Sequence, residues 1–194
     1  EMDVSSETVR PSALGVSLYS GRGGLAVLFE RAYRYFGDAN LLRIAKEAVQ
    51  REFSMLERGG SQLIETYFAL EAPAGMMQRA GILSAFWALG RHEGHGRHRD
   101  MVHALLDGIT DRTIELDGAF DVIGGSSGLM LLMMGMKRED PSFDHQELLI
   151  RLGEHLSRHT SQIDGIGWVA NTLATGRPLC GFGHGRAGTG LALL

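Results

Sequence analysis

One histidine, one aspartate and three arginines stand where their side chains could do chemistry. His184 lies in Gly181-Phe-Gly-His-Gly-Arg-Ala-Gly188, a glycine-dense loop that runs into the apolar tail Leu191-Ala-Leu-Leu194. Glycine lets backbone or ligand approach closely, and the tail reads as the first turn of a buried helix. His184 is therefore expected on a tight loop at a helix N-terminus, a kind of position where a rigid scaffold presents functional side chains. Taken alone, a histidine in such a turn is a turn residue; the rest of the chain changes that reading.

The same turn occurs four times. With Gly24, Gly81, Gly128 and Gly188 in register, a small residue (Gly23, Ala80, Ser127, Ala187) precedes each, and an apolar run follows. Glycine stands three positions earlier in three copies (Gly21, Gly125, Gly185), and arginine two positions earlier in three (Arg22, Arg79, Arg186). The spacing of 47 to 60 residues is that of stacked helical-pair architectures. Within the register, His184 takes the place of Ser20, Met77 and Gly124, so the scaffold does not need histidine there. Asp121, seven before its register glycine, takes the place of Ser17, Ala74 and Gly181, and Val122-Ile123 follow it, so a carboxylate stands beside an apolar entry to a turn. A cation at a helix N-terminus opposes the helix dipole, so the three arginines are candidates to meet carboxylates or a bound peptide. The alternative is that their stems cover apolar surface and their heads stay wet.

These turns need helices behind them. Inner helices are expected over about 25–36, 82–89 and 129–136, with a fourth opening at the His184 motif. Outer helices with apolar stripes are expected over about 39–58, 99–112 and from Pro141 or Asp144 to 159. Gly37, Gly59-Gly60 and Gly90 read as stops. Residues 62–70 read as a short helix or strand, residues 1–13 as a linker, and 163–174, with Trp168, as the approach to the fourth motif. The all-apolar run 129–136 predicts an inner helix surrounded by protein. No alternation is long enough for a sheet, so the chain reads as all-α. Three histidines in 91–98 invite a metal reading, but glycines separate them, and a solvated polar loop is expected. Cys180 reads as a buried small apolar residue.

The segments Ser17-Leu-Tyr-Ser-Gly-Arg-Gly-Gly24, Asp121-Val-Ile-Gly-Gly-Ser-Ser-Gly128 and Gly181–Gly188 resemble the lanthionine synthetase C-like cyclase family. The last is most similar to the C-terminal cyclase domain of the bifunctional (class II) lanthipeptide synthetases of bacteria. The resemblance implies an (α/α) toroid of seven helical pairs, of which residues 14–194 would be the N-terminal part, an incomplete arc of about the first half. It implies thioether formation between cysteine thiols and dehydroalanine or dehydrobutyrine of a ribosomally made precursor peptide, with His184 as general acid/base and Asp121 orienting it or helping proton transfer. Zinc in the family is held by two cysteines and a histidine downstream of the His184 motif. Zinc is thus expected in the complete domain and none on these residues, which lack the remainder of the toroid.

Composition sets outer limits. The chain has 194 residues, 44% of them hydrophobic, enough for one domain with a sizeable core. A net charge of −4 gives no reason to expect a nucleic-acid surface. One cysteine, no signal peptide and no long apolar run are expected of a cytoplasmic protein without a transmembrane segment, and the first residue, Glu1, of a piece of a longer chain. Two other function classes remain. One is a non-catalytic module that binds peptide. The other is an unrelated (α/α) ring enzyme acting on carbohydrate, which would need paired carboxylates across a cleft; Asp121 has no acidic partner in the motif copies.

Overall fold

The computed structural model describes residues 15–67, 75, 80–94, 96–159, 162–163, 166–167 and 179–194. The expected linker 1–13, Met77, Arg79, His95 and Trp168 lie outside the described residues.

Helices dominate. In chain order they are α1 (Arg22–Phe36), α2 (Ala39–Thr66), α3 (Ala80–Gly90), α4 (Arg97–Asp107), α5 (Asp111–Ile114), α6 (Ser126–Glu139), α7 (Gln146–Arg158) and α8 (Arg186–Leu193). An antiparallel pair of two-residue strands, β1 (Gln162–Ile163) and β2 (Ile166–Gly167), is the only strand pairing among the described residues. α1 packs on α2, α3 on α4 and α6 on α7, while α1, α3, α6 and α8 follow one another as neighbours. This is the expected all-α succession of helical pairs, with α1, α3, α6 and α8 as the inner row.

Local chemistry sets most boundaries. α1 ends at Gly37, whose φ of 73° is left-handed and whose N–H returns to Tyr33 O at 2.8 Å. One residue later, Asp38 caps α2 by accepting from the Asn40 N–H at 2.9 Å. Ala45, Val49, Phe53 and Leu56 then recur three or four residues apart and are buried. Gly60, at φ 57° and ψ −157°, interrupts α2 where a stop was expected, and helix resumes beyond it to Thr66.

Three expectations need correction. α4 stops at Asp107 rather than near 112, because Gly108 ends it and Thr110 caps a separate four-residue helix. α7 begins at Gln146 rather than at Pro141 or Asp144, because Asp140 Oδ1 takes the Ser142 N–H and hydroxyl into a turn. α6 is not enclosed all round. α3 is, apart from half-buried Ser84, but Leu131 and Leu132 of α6 are half-buried and Gly135 exposed. With Val27 and Arg31 of α1 and Trp87 of α3 they line an open groove along the inner helices.

Candidate functional site

The glycine turns share one construction. Gly21, Gly125 and Gly185 are the N-caps of α1, α6 and α8, all with extended backbone near φ −135° and ψ −174°. Any residue adopts such angles, so conformational freedom is not why glycine is there. A Cβ on Gly24, Gly128 or Gly188 would overlap the carbonyl oxygen of Leu18, Val122 or Phe182, in each case six residues earlier. The loop folds back over the first helical turn, and only a residue without a side chain leaves room for it. α1, α6 and α8 therefore begin two residues ahead of their register glycines, not one residue after them.

Successive turns touch. A Cβ on Gly23 would stand 3.1 Å from Gly81 O, and one on Gly128 2.9 Å from Gly75 Cα. Gly183 O accepts the N–H groups of Val122 and Ile123 at 3.1 and 3.2 Å, and Ser127 Oγ reaches Thr189 Oγ1 at 3.3 Å. The motifs form one continuous row at the N-terminal ends of the inner helices.

That row brings the two candidate residues together. His184 Nδ1 lies 2.8 Å from Asp121 Oδ2; the Asp121 side chain is fully buried and that of His184 is 53% exposed. A carboxylate only accepts, so this geometry calls for the proton on Nδ1 and leaves Nε2 to face solvent or substrate. The other oxygen of Asp121, Oδ1, accepts the Gly124 N–H at 2.6 Å. In the first copy Ser17 Oγ does the same turn-closing job for the Ser20 N–H at 3.2 Å. A hydroxyl is thus enough for the turn, and the second oxygen of Asp121 is what reaches the next copy.

Sequence reasoning missed Asp117. It is buried, accepts the Ala119 and Phe120 N–H groups through Oδ1 at 2.9 and 3.1 Å, and takes the Ser126 N–H through Oδ2 at 2.7 Å. In the first and fourth copies, backbone carbonyls serve the equivalent N–H groups, Gly15 O for Arg22 and Leu179 O for Arg186. The replacement left no register signal to find. Asp117 holds Phe120 at φ 60°, a left-handed conformation unusual for an aromatic residue, directly before Asp121.

The other candidates fare differently. Arg22 faces Glu52 across 3.8 Å, and Glu52 also accepts from Tyr67 Oη. Arg186 is half-buried, and its Nε has no hydrogen-bond partner among the described residues. Arg79 lies outside them. Cys180 is exposed, against expectation: Leu179 turns its carbonyl inward to Arg186, and the next residue points out. Nor do His92 and His98 of the 91–98 loop stand in open solvent. His92 bonds the buried Glu30 at 2.7 Å, while His98 stacks on Phe53 at 4.1 Å and bonds Glu93 at 2.5 Å. Burial raises the Glu93 carboxyl, but the His98 hydrogen bonds outweigh it and hold the group below its usual range. The loop packs on α1 and α2, an outcome no local pattern carries.

Compared with known proteins, the chain matches one family model, described as "Lanthionine synthetase C-like protein", over residues 12–194. Neither a curated protein nor a solved structure matches it.

Proposed function

The chain belongs to the lanthionine synthetase C-like family, and from that premise we propose that it serves lanthipeptide biosynthesis as the proton-transferring part of a cyclase. The substrate would be a dehydrated precursor peptide, and the Gly181–Gly188 motif resembles that of the C-terminal cyclase domains of bifunctional synthetases. One observation supports this above all: a buried carboxylate aimed at Nδ1 of a half-exposed histidine, at a position the scaffold fills elsewhere without histidine.

In the addition, a cysteine sulfur bonds the β-carbon of dehydroalanine or dehydrobutyrine. The C=C π pair moves onto the α-carbon and its carbonyl as an enolate, and the thiol proton leaves to a base. His184 Nε2 can accept a proton or return one to the enolate carbon, because Asp121 stabilises the imidazolium between the two steps. Arg186, beside the loop, is a candidate to hold a carboxylate of the peptide. Arg22 is the weaker candidate, since Glu52 already faces it, and Arg79 is carried only by its register position. A reducing cytoplasm suits a reaction on free thiols. No described helix is long and apolar enough to cross a membrane.

The two-cysteine zinc site that the resemblance implies does not fit the donors of residues 1–194. Cys180 is their one cysteine, and it lies four residues from a histidine whose Nδ1 is already engaged. No step above passes through a metal, and the cysteine-held zinc that the resemblance implies for the complete domain is a proposal about residues outside these.

The test is His184→Asn in the intact enzyme, read as loss of free thiol in the dehydrated precursor peptide by alkylation and mass spectrometry. Cyclisation should slow by about 10²-fold or more, the scale of a lost general acid/base, with folding unchanged. A wild-type rate would defeat the assignment and favour a module that binds peptide without acting on it.

A further inference from the structure

On the outer layer, behind the loop that presents Asp121, the end of α7 meets the end of α5. There Glu115, His155 and His159 place one donor atom each within 4.8 Å of one another. We propose that these three residues form a binding site for a divalent first-row transition ion, zinc by donor chemistry, which braces the 117–121 turn. The proposal does not depend on the cyclase reading.

The hydrogen bonds around the two imidazoles are those a metal site needs. His155 Nε2 donates to Asp117 O at 3.1 Å, so the bare nitrogen is Nδ1. That atom is buried in a side chain 1% exposed and has no hydrogen-bond partner among the described residues; the nearest carboxylate oxygen, Glu115 Oε2, stands 3.7 Å away, too far for a bond. A buried acceptor left unpaired costs stability, and a cation between Nδ1 and Oε2 would satisfy both. His159 Nδ1 likewise donates to a backbone carbonyl, His155 O, at 2.9 Å, which leaves its Nε2 lone pair for a ligand. Metal-binding histidines characteristically donate their second N–H to a carbonyl or carboxylate, and here both do so. The residues sit four apart at the end of α7, so they share a face. Arg158 occupies Glu115 Oε1 at 2.9 Å and leaves Oε2 to the site.

Two imidazoles and a carboxylate suit zinc or its neighbours in the first row, with coordination positions left for water. The site also touches the candidate dyad's support. The carbonyl that orients His155 belongs to Asp117, whose carboxylate holds the turn. Phe120, in its left-handed conformation, stacks on His159 at 5.0 Å and lies 5.5 Å from the His155 ring. An ion fixing the two rings would fix the surface on which Phe120 rests.

The experiment is calorimetric titration of the protein with Zn²⁺, paired with optical titration by Co²⁺, in the parent, His159→Ala and Glu115→Gln. Both altered residues are exposed, so folding should survive. We expect one ion per chain held in a Cys180→Ser background, cobalt bands without thiolate charge transfer, and affinity lowered at least about 10-fold in each variant, as for lost metal-site partners. Zinc should also slow amide exchange at Ala119 and Phe120. Absence of binding in the parent, loss of the ion with Cys180, or affinity unchanged in either variant would overturn the site. Exchange at 119–120 indifferent to bound zinc would overturn the brace.

Discussion

At the scale of the residue, the two oxygens of Asp121 have separable tasks. Oδ1 closes a turn that Ser17 closes elsewhere with a hydroxyl, and Oδ2 reaches His184. Asp121→Ser should therefore keep the turn and lose the contact. Its thermal midpoint should stay near that of the parent, while cyclisation slows at least about 10-fold, a fraction of a full acid/base loss. If Asp121→Ser unfolds instead, the carboxylate is structural and the comparison with Ser17 fails. Asp117 should behave in the opposite way. Its three N–H partners lie within one loop, and removing a buried acceptor strands them, so Asp117→Ala should cost about 1–3 kcal/mol or more in denaturant unfolding.

At the scale of the element, the register glycines govern how a loop sits on its helix. A Cβ at Gly188 would overlap Phe182 O and come 2.5 Å from Val122 Cγ2, in the preceding turn of the row. Gly188→Ala should destabilise by about 1–3 kcal/mol, the usual cost of overpacking, and should displace His184, whereas Gly190→Ala, which meets nothing, should not. Chemical denaturation of the two variants compares them directly. The contact of α4 with the start of α7 carries a pH signature. His145 stacks on His103 at 5.0 Å, with Asp107 and Asp144 acting on it from nearby. Burial, the largest effect, outweighs the opposing pull of Asp107 and pushes its imidazole below the ordinary histidine range. The unfolded chain thus binds the proton more readily than the folded one. This contribution to stability is fully present above pH 6.5 and is lost as pH falls towards the depressed folded value. Thermal midpoints between pH 7.5 and 5 should fall more steeply in the parent than in His145→Gln; equal slopes would remove His145 from the account.

At the scale of the whole molecule, apolar side chains stand exposed on the two outermost inner helices. Leu28, Tyr35 and Phe36 on α1 are 61%, 84% and 71% exposed, and Leu191 on α8 is 46% exposed. Stacked helical arrays keep such faces covered by further repeats or by polar caps. The 194-residue chain by itself should self-associate, and Leu28→Glu with Phe36→Lys should reduce this. Sedimentation velocity over a range of concentrations tests both statements; a monodisperse parent would mean these faces are tolerated in water.

The sequence by itself determined the helices, the repeat and the identity of the two candidate residues. Apolar spacing, the αL glycine at Gly37 and the missing Cβ at Gly24, Gly128 and Gly188 act over a few residues, and such signals survive in a linear reading. The departure of His184 and Asp121 from what the other copies carry is likewise visible in a register. Only the tertiary structure decided that these two side chains meet, 63 positions apart. Their contact follows from one helical pair stacking on the next, which no local pattern encodes. The same reason covers Asp117, which replaces a backbone carbonyl, and His98, buried by a neighbouring helix. It covers Cys180, turned outward by the carbonyl before it, and the approach of Glu115 to His155 and His159. The spacing of those histidines is a local matter, but the carboxylate that makes them a candidate site comes from the residue that follows α5.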